Sequence, residues 1–157
     1  MITLNNPEET SYLAQIIGNM AVSGDNLILT GDLGAGKTTL TKGIALGLGI
    51  EQMIKSPTYT IIREYHQGRL PLYHMDVYRI GEGASDLGLE EYFEGDGLSV
   101  IEWGNLLAED LPTSYLEVVL MKDEENPEKR YATFHAYGTQ GENFMARILE
   151  KWGETDE

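Results

Sequence analysis

Residues 31 to 38 are Gly31-Asp32-Leu33-Gly34-Ala35-Gly36-Lys37-Thr38, a run of the form G-x-x-x-x-G-K-T. The chemistry those types support at that spacing is the holding of phosphate. Glycines let a backbone curl until successive N–H groups point inward, where they cradle phosphate oxygens. A helix beginning near Gly36 would add unpaired N–H groups and the positive end of its dipole. Lys37 supplies a point charge for the outer phosphates, and the Thr38 hydroxyl is placed to ligate Mg²⁺. Asp32 through Thr39 are therefore the candidate nucleotide-binding residues, and a nucleoside triphosphate with its cation is the candidate ligand.

A phosphate loop needs partners that hold the cation and position the attacking group, and these come from the ends of neighbouring strands. Two acids qualify. Asp76 follows Leu72-Tyr73-His74-Met75, and Glu102 follows Leu98-Ser99-Val100-Ile101. One can bind Mg²⁺ while the other orients water; the sequence leaves open which does which. His74 alternates with Asp76 along one strand face, which makes it a candidate to orient that acid. Ser56 and Thr58 lie between the loop helix and the next strand, in a connection that passes the γ-phosphate in such proteins. They form either a switch-like loop or a Ser-Pro turn with ordinary capping. Trp103 is either a core anchor or a lid over the nucleotide. Arg79, one of five arginines, can pair with Asp76 or reach phosphate. No N-K-x-D marks a guanine pocket. The segment where a kinase lid would sit, residues 79 to 97, is acidic rather than arginine-rich. ATP hydrolysis is the reading these residues support, with a small-molecule kinase or a nucleotide-sensing module as alternatives.

The elements that must position this chemistry follow from hydrophobic period. Asn26 to Thr30 predicts a buried strand before the loop, and Leu40, Ile44 and Leu48 predict one buried helix face after it. Asn6-Pro7 predicts a helix start, with Leu13, Ile16, Ile17 and Met20 as its inner face. Gly43 and Gly47, four apart, predict close backbone packing. Residues 61–65 and 70–77 predict a hairpin, Asp86 to Phe93 a short helical piece, and Tyr115 to Lys122 with Arg130 to Tyr137 a second hairpin. Glu142 to Trp152 predicts the last helix, with Phe144, Ile148, Leu149 and Trp152 inward. Two hairpins make the sheet mixed, so the expected fold is a single α/β domain over residues 1–157, a P-loop NTPase-like three-layer domain. At 157 residues the chain can build a full core. It has no run of about 18 apolar residues and no signal pattern, which predicts a cytoplasmic protein without membrane association. Its formal charge is −15, with fourteen acids against one base between Gly81 and Glu128. Such a surface repels nucleic-acid backbones, so direct binding of nucleic acid is not expected.

Four motifs in order resemble one family: Gly31 to Thr39, Ser56-Pro57-Thr58-Tyr59-Thr60, His74-x-Asp76-x-Tyr78-Arg79, and Glu102-Trp103. The set is similar to that of the TsaE (YjeE) family of bacterial tRNA threonylcarbamoyladenosine biosynthesis. The resemblance implies an ATP- and Mg²⁺-binding ATPase that is slow alone. It implies action with a TsaB–TsaD heterodimer, which transfers threonylcarbamoyl to tRNA, so tRNA is met only indirectly. It implies that Lys37 holds phosphate and Thr38 the metal. Glu102 is then a metal ligand or water-orienting carboxylate, Asp76 is needed for hydrolysis, and Trp103 lies near the nucleotide.

Overall fold

The computed structural model describes residues 1–31, 36–51, 62–76, 89–102 and 111–155. Seven strands form one sheet: β1 (Ile2–Leu4), β2 (Asn26–Gly31), β3 (Ile62–Tyr65), β4 (Leu72–Asp76), β5 (Leu98–Glu102), β6 (Tyr115–Lys122) and β7 (Arg130–Tyr137). The helices are α1 (Pro7–Met20), α2 (Lys37–Gly47), α3 (Leu89–Phe93) and α4 (Gly138–Thr155). The strand order is β1-β7-β6-β2-β5-β4-β3. β6, β2, β5 and β4 run parallel, whereas the β6–β7 and β3–β4 hairpins and the β1 edge add antiparallel pairs. The mixed α/β sheet expected from the sequence is the one observed. β2 lies between β5 and β6, so the chain leaves it toward one side of the sheet and later returns on the other. A crevice opens at the carboxyl end of a strand in that position, which is where α/β sheets place ligands.

α1, α2 and α4 cover one face of the sheet. Their inward residues, Leu13, Ile17, Leu40, Ile44, Phe144 and Ile148 among them, join Leu27, Leu29, Val100 and Val118 in the main core. On the opposite face Phe93 of α3 packs with Ile28, Met75 and Ile101. The seating of α2 depends on its contact with α1. A Cβ on Gly47 would lie 2.3 Å from the Gln15 carbonyl oxygen, and one on Gly18 would lie 2.2 Å from that of Ile44. The two backbones therefore touch, and any side chain at either place would push the loop helix away from its neighbour.

Two distant arginines finish α1, which has no base in its own last turn. Arg69 Nη2 donates to the carbonyls of Gly18, Asn19 and Ala21 at 2.8, 3.1 and 2.9 Å. Arg147 of α4 donates through Nε to Met20 O at 2.9 Å and through Nη2 to Asp25 Oδ2 at 2.7 Å. Asp25, which looks like a turn residue in sequence, is buried. Burial pushes its carboxyl above the ordinary 3.8, against the pull of the Val22 N–H, Gln140 and the Arg147 charge.

Two expectations for the last helix need correction. α4 begins at Gly138, directly after β7, and not at Glu142. Gly138 takes φ +78°, and a Cβ there would meet Ser114 Oγ at 2.3 Å. A glycine that resembles loop composition is thus the tight corner that lets a strand turn straight into a helix. Leu149 is 40% exposed, while Phe144 and Ile148 are fully buried. One residue is 100° of turn, enough to carry Leu149 off a stripe narrowed by the sheet on one side only.

Candidate functional site

The site is built at the carboxyl end of β2. Its Leu27, Ile28 and Leu29 are buried on both sides of the sheet, as a central parallel strand requires. Beyond Gly31 the described chain resumes at Gly36, the N-cap of α2, with φ +107° and ψ +23°. That left-handed conformation is one an L side chain rarely adopts, so glycine is required there. The consequence is chemical: the first turn of α2 has no side-chain cap and no acid in it. The N–H groups and positive dipole end of an 11-residue helix face the space after β2 without a protein anion supplied from that turn.

Lys37 opens α2 and is only 7% exposed. Its Nζ reaches back to donate to Gly31 O at 3.0 Å, so the ammonium stands over the end of β2. Thr38 is half-buried, Thr39 is exposed, and Thr41 Oγ1 donates to Lys37 O at 2.9 Å. Thr38 and Thr39 thus leave the first turn toward the surface, while Thr41 pins it from within.

The two strand-end acids meet in register. Asp76 of β4 is the direct partner of Glu102 of β5, and Glu102 is also paired with Leu29 of β2, two residues before Gly31. Glu102 is 6% exposed. Its Oε2 lies 2.6 Å from Nε2 of His74, whose ring is fully buried. The sequence pointed His74 toward Asp76 along their shared strand; the structure pairs it with Glu102. His74 is in register with Val100, and Glu102 stands two residues farther along the same face. Two long side chains span that diagonal readily. Nothing in a single strand's alternation could show it.

Thr38 and Glu102 are hard oxygen donors of the kind Mg²⁺ takes. Among the described residues no three His, Asp or Glu side chains gather to hold a metal. A cation here would have few protein ligands and would be completed by phosphate and water, which is the usual manner of Mg²⁺. The donor set fits. Asp32, Leu33, Gly34 and Ala35 of the loop, Ser56 and Thr58, Arg79 and Trp103 lie outside the described residues. The structure therefore brings together Gly36, Lys37, the first turn of α2, the Asp76 position, Glu102 and, newly, His74.

A cavity of about 590 Å³ lies elsewhere, lined by Ser23, Asn26, Phe93, Ser114 and Gln140 among others. It sits at the amino ends of β2 and β6, at the opposite end of β2 from Gly31. No described helix is long and apolar enough to cross a membrane.

Known proteins share this fold and much of this sequence. The family model for threonylcarbamoyl adenosine biosynthesis protein TsaE matches residues 4–132. The tRNA threonylcarbamoyladenosine biosynthesis protein TsaE of Bacillus subtilis strain 168 is 51% identical over 137 residues, covering 87% of this chain and 85% of that protein. The TsaE of Treponema pallidum is 47% identical over 107 residues, covering 67% and 78% of the two chains. The TsaE of Nostoc sp. PCC 7120 is 42% identical, covering 79% of each. Among solved structures, the crystal structure of Bacillus subtilis YdiB superimposes with a TM-score of 0.83 at 44% identity, covering 96% of this chain and 93% of that one. The chain belongs to the TsaE family of tRNA threonylcarbamoyladenosine biosynthesis proteins.

Proposed function

We propose that this protein binds ATP with Mg²⁺ at the carboxyl edge of β2 and hydrolyses it, slowly when alone, as an accessory to the tRNA modification for which its family is named. It acts in the cytoplasm with a TsaB–TsaD heterodimer that performs the threonylcarbamoyl transfer, and it meets tRNA only through that assembly. The observation that carries the reading is the convergence at one strand end. An uncapped helix N-terminus, a buried lysine folded over β2, and two acids in register beside it occupy the same edge. Each group alone has an ordinary structural explanation; together they match what phosphoryl chemistry requires.

In this reading the amides of the first turn and Lys37 bind the phosphates, and Thr38 and Glu102 hold the cation. Mg²⁺, when bound, neutralises charge on the outer phosphate oxygens. Asp76 orients the attacking water. Ser56 and Thr58 sense the γ-phosphate, and Trp103 lies against the nucleotide. The strong negative charge of the chain suits docking to protein partners better than to tRNA.

The test is phosphate release from ATP, measured with and without TsaB–TsaD. We expect weak release alone, a rise on adding the heterodimer, and a fall of about 10²–10³-fold in Glu102→Ala and Asp76→Ala. Unchanged release in both variants would mean that turnover belongs elsewhere. Transfer of label from ATP to a component of a metabolite mixture would instead make the protein a kinase.

A further inference from the structure

We propose that His74 is a positioning residue that sets the Glu102 carboxylate for the cation, an inference that rests on the nucleotide site proposed above. His74 is fully buried, and among the described residues it is the hydrogen-bond partner of Glu102, at 2.6 Å. Of the two imidazole nitrogens, Nδ1 is buried and has no hydrogen-bond partner among the described residues. A carboxylate oxygen and an unprotonated ring nitrogen are both acceptors and would repel at 2.6 Å, so the contact needs an N–H between them. The proton therefore belongs on Nε2, which donates to Glu102 Oε2.

The consequence for Glu102 is directional. Oε2 is occupied by an N–H from inside the sheet, and Oε1 takes no hydrogen bond from the described residues. A carboxylate held at one oxygen turns less freely, so the other oxygen is presented over a narrower range of directions. Carboxylates that ligate metals are ordinarily held this way, and loss of the holding group costs about 10–100-fold in metal affinity or activity. β4 therefore contributes twice to the edge: Asp76 at its end, and His74 two residues inside, acting through a neighbouring strand.

The experiment compares His74→Gln with His74→Met in the full-length chain. The two side chains have similar length; glutamine keeps an N–H near the position of Nε2, and methionine has none. Binding of a fluorescent ATP analogue is titrated in EDTA and at graded free Mg²⁺, beside thermal melts and Glu102→Ala as the reference. We expect the His74 variants to bind like the parent in EDTA. In His74→Met the Mg²⁺ concentration giving half the metal-dependent gain should rise about 10–100-fold, with kcat falling by a similar factor. His74→Gln should stay within a few-fold of the parent. If His74→Met fails to fold, His74→Asn carries the same contrast, because its shorter amide cannot reach Glu102. The proposal is overturned if the Mg²⁺ dependence of His74→Met matches the parent while Glu102→Ala loses it. It is equally overturned if affinity falls to the same degree with and without Mg²⁺ alongside the melting temperature, the mark of a purely structural histidine. Should Glu102→Ala itself keep the full Mg²⁺ effect, the assignment of the metal to Glu102 fails, and the histidine proposal with it.

Discussion

Two helices start on the same face of this sheet, and their first turns are finished in opposite ways. α1 is closed. Asn6, extended at φ −156° and ψ 169°, accepts from the Glu9 N–H through Oδ1 at 2.8 Å, and Pro7 fills the first helical position. Glu8 and Glu9 place negative charge on the positive end of the dipole, and Glu9 turns back to accept from the Asn5 N–H at 2.9 Å. A side-chain cap, a proline at the first position and acids in the first turn all stabilise this start. α2 has none of them: a left-handed glycine stands at its N-cap, its first turn has no acid, and its first side chain is a lysine. By local rules α2 is the poorer helix. It is held instead by packing, with Leu40, Ile44 and Ala45 fully buried and its backbone against that of α1. The difference sets local stability against the binding proposed above: α1 caps its own first turn, and the first turn of α2 carries no side-chain cap and no acid, as a turn that met phosphate would.

The sharpest way to break this comparison is at Lys37. Lys37→Ala should lower ATP turnover by about 10²–10³-fold and abolish saturable binding of a fluorescent ATP analogue, with an intact melt. If binding survives unchanged, the open end of α2 is not a phosphate site. At the closed end, Asn6→Ala should cost about 1 kcal/mol, seen as a melting temperature lower by about 2–4 °C. Its affinity for ATP should equal that of the parent, and loss of ATP binding there would show that the two ends are not independent. The smallest effect comes from making α2 resemble α1. Thr39→Glu puts an acid in its exposed first turn, which should stabilise the free protein by about 0.3–1 kcal/mol while weakening ATP binding. A variant that gained stability and affinity together would contradict the trade described here.

Much of the frame is legible in the order of residues alone. The β6–β7 hairpin has the limits that alternation and the polar Asp123 to Lys129 connector indicate. The α1 cap and the loop strand are equally plain, because cap chemistry and hydrophobic period are local. The strand-end acids can be named from one apolar run each, and their proximity cannot. It follows from β4 and β5 pairing in parallel with Asp76 opposite Glu102. Where local signals mislead, a neighbour distant in sequence is responsible. Gly138 and Gly141 look like loop glycines until β6 is laid against them. Asp25 looks like a turn residue until Gln140 and Arg147 arrive from α4. Arg69 has no evident purpose until it is found gathering the last carbonyls of α1.

By itself, then, the sequence determined which side chains exist to do chemistry: a lysine and hydroxyls after a glycine-rich run, and acids at the ends of two apolar strands. Those properties are carried by residue type and short spacing, so they need no tertiary information. The tertiary structure decided which of them are neighbours. Strand order set Glu102 beside β2, and parallel register put Asp76 opposite it. A diagonal across two strands then gave His74 to Glu102, although 28 residues separate them in the chain. Such pairings depend on how strands are ordered and aligned, and the burial of the whole core sets that order, not any single stretch of chain.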